Sequence, residues 1–131
     1  MTENMGLTTL MPRNQIKLGT VGRIHPDCET RIDPISQEIQ MRAPYNTIGY
    51  FKEPALTQEL YTEDGWLKTG DQGELSHDGF ISIIGRVKDN FKTAKGQYVS
   101  PAPIENNLSI DPHIEQCCVV GINLPQPIAL I

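Results

Sequence analysis

Long apolar runs are missing from this sequence. None approaches the roughly 18 residues that a helix needs to cross a bilayer, and Met1 to Gly6 shows no signal-peptide pattern. We therefore expect a cytoplasmic protein without a transmembrane segment. At 131 residues the chain has room for one ordinary domain or two small ones.

Positive charge is also scarce. The 11 Lys and Arg residues are outnumbered by 16 Asp and Glu residues, and the formal net charge is −5. Nucleic acids and anionic membrane surfaces are bound by basic patches, so this balance argues against both as partners. Lys88, Lys92 and Lys95 do cluster, but such a spacing is typical of a solvated face or a small anion site.

Cysteine is infrequent. The three cysteines, Cys28, Cys117 and Cys118, have no metal-binding spacing. Adjacent cysteines form a disulfide only through a strained ring. We therefore predict buried free thiols in a reducing compartment, with the last two on a strand within residues 114–122.

Glycine and proline, by contrast, are frequent, with 11 and 10 residues. They favour short elements and β-hairpins over a helical bundle. Residues 73–84 predict a hairpin, because Asp78 and Gly79 can supply its turn. Residues 38–42 alternate polar and apolar, which predicts a half-exposed strand.

Two short helices are predicted as well. Residues 54–63 have proline in the first turn and Leu56 on the apolar stripe. The second helix begins near Ser100, which can cap it, and buries Ile104. The pattern indicates an α+β fold: a β-rich subdomain of distorted, barrel-like antiparallel hairpins, followed by the beginning of a small α+β domain.

Two residues at element ends are candidates for ligand binding. Asp71 lies between Gly70 and Gln72-Gly73, so its carboxylate can approach two vicinal hydroxyls with little obstruction. A turn aspartate that caps its own backbone explains the same triplet. Arg86 follows the strand of residues 80–85, where it is either an exposed strand-end arginine or a contact for a phosphate or ribose oxygen.

The segment Asp64–Glu105, DGWLKTGDQGELSHDGFISIIGRVKDNFKTAKGQYVSPAPIE, resembles the adenylate-forming (AMP-binding) enzymes and is most similar to medium- and long-chain fatty acyl-CoA synthetases. Such enzymes activate a carboxylate with ATP and then pass the acyl group to a thiol. The resemblance implies that Asp71 binds the ribose and that Arg86 also contacts the nucleotide. It further implies that Lys88 is the hinge of a rotating C-terminal lid domain and that Gly96 lies in a CoA-facing loop.

The first residues resemble another segment of this superfamily, in which a threonine faces the phosphate and a glutamate binds Mg²⁺. The resemblance implies nucleotide binding by Thr2 and, in the full enzyme only, metal binding by Glu3. We expect both residues to be disordered at this terminus. The resemblance implies three parts. Residues 1–18 are a remnant of the nucleotide- and Mg-binding segment, residues 19–87 are the β-rich subdomain of the large domain, and residues 88–131 are the hinge with a truncated lid domain.

The superfamily's phosphate-binding loop and acyl pocket are absent from the sequence, and its catalytic lysine is expected beyond Ile131. The chain therefore contains no catalytic residue, and we expect it to be inactive alone. For the parent enzyme the resemblance implies ATP or AMP, Mg²⁺ and CoA, with a fatty acid as substrate and none of them bound to this chain. Exposed strands predict self-association.

Two alternatives stay open. The chain is a stand-alone, non-catalytic nucleotide-binding or oligomerising module, or it is part of an acyl-AMP ligase that loads a carrier protein instead of CoA.

Overall fold

The structure is a computed structural model that describes residues 1–131. The chain forms two compact units, Met1–Ile83 and Ile84–Ile131. Antiparallel strands predominate in both, and each has one short α-helix, which confirms the predicted α+β class. Neither helix is long and apolar enough to cross a membrane.

The first unit is built on a six-stranded sheet. Its strands are β1 (Thr9–Leu10), β2 (Gly22–Ile24), β3 (Glu29–Ile32), β4 (Glu38–Arg42), β5 (Leu67–Leu75) and β6 (Phe80–Arg86). Their order is β1-β2-β6-β5-β4-β3, so β1 and β3 are edges and the sheet is open, not a closed barrel. The predicted hairpin is confirmed, since β5 and β6 are neighbours and Gly79 in the turn between them has a φ of 80°.

One face of this sheet carries the core. Ile39, Met41, Leu67 and Ile81 are each at most 4% exposed and pack together with Cys28. Successive side chains of a strand point to opposite faces, so alternate residues of β4 enter this core. Met41 lies opposite Leu67 of β5, so the two strands contribute neighbouring side chains to the core.

The prediction of a half-exposed strand at residues 38–42 is wrong, because the first four residues are all buried. The polar side chains of β4 are covered by neighbouring strands. The Arg31 Nε of β3, for example, donates to the Gln40 Oε1 of β4 at 2.7 Å. Hydrogen bonds of this kind allow polar groups to be buried at little cost.

The two predicted helices are confirmed as α1 (Pro54–Leu60) and α2 (Pro101–Leu108), and both begin with proline. The predicted burial of Ile104 is wrong, because it is 38% exposed. On the apolar stripe of α1, Leu56 is 49% exposed, whereas Leu60 and the following Tyr61 pack against the core. Ser100 is the N-cap residue of α2, yet its hydroxyl accepts no hydrogen bond from the helix amides and instead donates to the Asn90 Oδ1. Each helix has only about two turns, so little of its surface reaches the sheets.

The second unit consists of two hairpins around α2. Its strands are β7 (Phe91–Lys92), β8 (Tyr98–Val99), β9 (Cys118–Val120) and β10 (Ile128–Leu130). A strand is therefore confirmed within residues 114–122, but it has only three residues and contains Cys118 without Cys117. Helix α2 is tied to β9, because the Glu105 Oε1 accepts a hydrogen bond from the Val119 amide at 2.8 Å.

All three cysteines are free, as predicted, but only Cys28 is buried. Cys117 is half-buried and Cys118 is exposed. Cys118 is exposed because it lies on the open face of the two-stranded β9–β10 sheet, opposite the exposed Leu130.

Candidate functional site

A β-bulge lies at the position of Asp71, the aspartate that the sequence pattern singles out. Glu38 of β4 is opposite Gln72, and Gln40 is opposite Lys68. One residue therefore separates the partners on β4 while three separate them on β5, and those three are residues 69–71. Bulges bend a strand and re-aim a side chain, and they are frequent beside active sites.

Side chains replace the hydrogen bonds that the bulge removes from the ladder. The Gly70 amide donates to the Glu38 Oε1 at 2.8 Å, and the Thr69 hydroxyl donates to the Ile39 carbonyl at 2.7 Å. The same Thr69 Oγ1 accepts from the Asp71 amide at 3.1 Å. Gly70 has a φ of 73°, a conformation that only glycine adopts freely. The bulge is therefore held at each of its three residues.

Asp71 lines a cavity of about 170 Å³ in the first unit. Its wall also includes three threonine hydroxyls, of Thr8, Thr9 and Thr69. The apolar part of the wall consists of Val21, Ile39, Met41, Ile81 and Ile83. Pockets for whole small molecules usually measure about 300–1,000 Å³. This cavity is smaller, so it has room for part of a nucleotide-sized ligand beside the carboxylate.

The N-terminal segment is ordered, contrary to expectation. Residues Thr2–Asn4 form a 3₁₀ turn, and Asn4 is fully buried. The Glu3 carbonyl accepts from the Thr47 amide at 2.7 Å, and the Glu3 carboxylate accepts from the Tyr50 hydroxyl at 2.8 Å. That hydroxyl lowers the pKa of Glu3. Met1 and Gly6 line the cavity of Asp71, whereas Thr2 and Glu3 do not.

The other predicted site residues lie in the second unit. Arg86 ends β6 and is exposed, and Lys88 lies in the 3₁₀ turn Val87–Asp89. Lys88 also lines a cavity of about 640 Å³ together with apolar residues of β7, α2 and β9. Gly96 has a φ of 83° in the loop between β7 and β8 and is not part of that cavity.

Similarity to known proteins was found for nearly the whole chain. It is 39% identical over 131 residues to the long-chain-fatty-acid–CoA ligase FadD15 of Mycobacterium bovis, covering 100% of this chain and 22% of that protein. The structure of ATP-bound MatB from Rhodopseudomonas palustris matches with a TM-score of 0.78 and 29% identity, over 92% of this chain and 26% of MatB. The chain belongs to the adenylate-forming superfamily.

A second member was solved in complex with AMP, the O-succinylbenzoate–CoA synthetase MenE of Bacillus subtilis. It matches with a TM-score of 0.74 and 28% identity, over 98% of this chain and 29% of MenE. No family model matches the chain. The chain therefore spans between about a fifth and a third of the length of these relatives.

A magnesium site is not complete within these 131 residues. Mg²⁺ requires several oxygen ligands in octahedral geometry. No group of three or more His, Cys, Asp or Glu side chains is positioned to hold a metal. Glu3 offers one carboxylate, which Tyr50 already contacts, so the residues of this chain do not by themselves fit the metal.

Sequence reasoning missed the residues that support Asp71. Glu38 was assigned to a half-exposed strand, although it is 8% exposed and holds Gly70. Thr69 was interpreted only as part of a motif, although it connects both sides of the bulge. A carboxylate at the first position of a strand gives no signal of this role. The threonine next to a glycine-flanked aspartate was the one available sign.

Proposed function

We propose that this chain supplies the ribose-binding part of an ATP-dependent acyl-CoA synthetase. Such an enzyme forms an acyl adenylate from a carboxylate and ATP, and then transfers the acyl group to the thiol of CoA. One observation carries the proposal: a bulge held at all three of its residues presents Asp71 to a cavity with hydroxyl and apolar walls. The relatives solved with ATP and AMP support it.

Asp71 is proposed to accept hydrogen bonds from both ribose hydroxyls. A carboxylate has two oxygens and accepts only, which matches two vicinal O–H donors. The bulge supports this role, because it fixes the backbone on either side of the side chain before any ligand arrives. A preorganised acceptor loses less conformational entropy on binding.

The remaining residues are assigned from the resemblance. Arg86 contacts the nucleotide, Lys88 is the hinge residue, and Gly96 lets the loop between β7 and β8 approach CoA. The positive φ of Gly96 supports the last assignment, since a side chain there would be strained. Residues 88–131 would then be the beginning of the lid domain.

Thr2 and Glu3 are proposed to act only in the whole enzyme, on phosphate and Mg²⁺. A metal bound there would neutralise charge on the phosphates. We propose that the chain alone does not form an acyl adenylate, because its carboxylates do not complete a metal site.

Fatty acids are the proposed substrates, in line with the name of FadD15. CoA is the proposed acceptor for the same reason. Self-association of the chain is proposed from its exposed apolar strand β10, in which Ile128 is 47% and Leu130 is 57% exposed.

The test is titration of the chain with AMP and with 2′-deoxy-AMP, followed by calorimetry or amide NMR shifts. The sequence alone predicts no nucleotide bound to this chain, but the fixed backbone of the bulge leads us to expect saturable AMP binding. This binding should weaken roughly 10- to 100-fold in Asp71→Asn, the loss typical of a hydrogen bond to a charged group. Removal of the 2′-hydroxyl should weaken binding to the original chain more than binding to Asp71→Asn, because the asparagine has only one acceptor oxygen for the two ribose hydroxyls.

Asp27→Asn is the matched control, since Asp27 is an exposed aspartate of the same unit and does not line the cavity. Equal AMP affinity of the Asp71 and control variants would contradict the assignment. So would an absence of binding at about 1 mM AMP, a concentration that detects even weak sites.

A further inference from the structure

The loop between β1 and β2 presents large apolar side chains to solvent. This edge loop, residues 11–20, leaves the edge strand of the six-stranded sheet. Ile16 is 71% exposed and Leu18 is 91% exposed. Leu10, the last residue of β1, and Met11, the first of the loop, are 52% and 40% exposed. Exposed apolar patches of this kind mark contact surfaces.

The charge around the edge loop is of one sign. Residues 4–26 contain no Asp or Glu, so all 16 acidic residues of the chain lie elsewhere. The same stretch contains three cations, Arg13, Lys17 and Arg23. The net charge of −5 therefore conceals a local basic segment.

The fold brings two of these cations together on one ring. The Lys17 Nζ lies 5.2 Å and the Arg23 Cζ lies 5.1 Å from the centroid of Phe80. Lys17 also forms an ion pair with Asp78 at 2.9 Å. This acid compensates one of the three cations, so the loop surface stays positive.

Internal hydrogen bonds give the edge loop a defined shape. The Gln15 amide donates to the Pro12 carbonyl at 3.1 Å, and the Thr20 hydroxyl donates to the Lys17 carbonyl at 2.8 Å. With Lys17 folded onto the sheet, its neighbours Ile16 and Leu18 remain exposed. The apolar side chains are thus presented by a fixed loop.

We propose that the edge loop docks the protein on a lipid surface that contains anionic headgroups. Ile16 and Leu18 enter the boundary between headgroups and acyl chains, while Arg13 and Arg23 contact lipid phosphates. Apolar insertion combined with basic residues is the usual mode of interfacial binding. The inference goes beyond the proposed function and does not depend on it.

Charge favours lipid over a protein partner at this loop. Two other strongly exposed apolar residues of the first unit have acidic neighbours: Ile35 lies two residues from Asp33, and Phe51 two residues from Glu53. Ile48 is also exposed, but its acid-free segment, residues 39–52, is shorter. Only the edge loop combines strongly exposed apolar side chains with an acid-free segment of 23 residues, 4–26.

The test is co-sedimentation of the 131-residue chain with vesicles of phosphatidylcholine, with and without phosphatidylglycerol. We expect binding to the anionic vesicles that falls about tenfold or more in the double variant Ile16→Ser/Leu18→Ser, since two large apolar side chains are lost. Arg13→Gln should weaken binding to anionic vesicles only, and added salt should do the same. The control is Ile35→Ser, which removes an apolar side chain of 93% exposure outside the loop and should leave binding unchanged.

Three results would overturn the proposal. One is an absence of binding to either kind of vesicle. Another is an equal loss in Ile35→Ser, which would indicate unspecific adsorption. The third is a dimer of the original chain that does not bind vesicles, together with a monomeric double variant, as measured by analytical ultracentrifugation. That result would make the loop a contact between protein chains. Circular dichroism of each variant confirms that the surface substitutions leave the fold intact.

Discussion

The carboxylate of Glu38 accepts a hydrogen bond from the amide of Gly70, with a distance of 2.8 Å between the nitrogen and Oε1. Both residues belong to the bulge region between β4 and β5. An amide that has left the sheet ladder needs another partner when it is shielded from water. Glu38 supplies that partner and so maintains the backbone next to Asp71.

Removal of the Glu38 carboxylate should destabilise the first unit. We expect Glu38→Ala to lower the free energy of unfolding by about 1–3 kcal/mol, because the Gly70 amide loses its acceptor. Glu38→Gln keeps an acceptor oxygen and should cost less. Urea unfolding measures both, and Glu74→Ala is the control, since Glu74 is an exposed residue of the same β5. An equal effect of the alanine and glutamine variants would show that the hydrogen bond contributes little.

Two guanidinium groups stack on the ring of Trp66, with the Cζ of Arg31 at 4.6 Å and that of Arg42 at 4.5 Å from its centroid. Arg31 also binds both carboxylate oxygens of Asp64, at 2.6 and 3.0 Å. The bidentate contact lowers the pKa of Asp64 to about 2 from its ordinary value of 3.8. Trp66 is the sole tryptophan, so its fluorescence reports on this cluster.

Acid should therefore loosen the cluster around Trp66. A lowered pKa in the folded state means that the stabilisation is present above pH 3.8 and is lost as the pH falls to about 2. We expect the urea midpoint, followed by Trp66 emission, to fall more between about pH 5 and pH 2 in the original chain than in Asp64→Asn. Parallel curves for the two proteins would contradict the assignment of this pH dependence to Asp64.

The three thiols should differ in their reactivity. Burial shields Cys28 and raises the pKa of its thiol, so little nucleophilic thiolate is available. With a thiol reagent such as DTNB we expect Cys118 to react first, Cys117 more slowly, and Cys28 only after unfolding. Cys118→Ser should remove the fast phase, and Cys28→Ser should leave it unchanged. A fast phase that persists in Cys118→Ser would contradict the assignment of Cys118 as the exposed thiol.

Asn4 should anchor the N-terminal segment. Its side-chain amide contacts the Thr8 hydroxyl and the Met41 sulfur, and its Oδ1 accepts from the Gly6 amide at 3.1 Å. We expect Asn4→Ala to lower the free energy of unfolding by about 1–3 kcal/mol, because buried partners lose their hydrogen bonds. Thr2→Ala, at an exposed neighbouring position, should change it by less than about 0.5 kcal/mol. Thermal or urea unfolding measures both variants. Equal free energies of unfolding for Asn4→Ala and Thr2→Ala would show that the N-terminal segment is not docked on the sheet.

Local features were predictable from the sequence. The β5–β6 hairpin followed from Asp78 and Gly79, and both helices began with the predicted proline turns. These features depend on the backbone preferences of a few adjacent residues. The residue assignments of Asp71, Arg86, Lys88 and Gly96 came from motif order and stay predictions.

Burial was less predictable, because it depends on residues distant in the sequence. An alternating pattern at residues 38–42 indicated one exposed face, but Gln40 is covered by Arg31 of the neighbouring strand. Ile104 is apolar and on a helix, yet nothing in its unit covers it fully. Neither outcome is encoded in the local pattern.

The sequence by itself determined the short elements, their turns and the adenylate-forming motifs, because glycine, proline and the alternation of apolar residues act over a few neighbouring positions. Only the tertiary structure decided that Thr69, Gly70 and Asp71 form a bulge, since strand register depends on a partner about thirty residues away in the sequence. It likewise placed Lys17 and Arg23 on the ring of Phe80. The bulge and the cation–ring cluster both depend on contacts between segments distant in the sequence, which no local preference specifies.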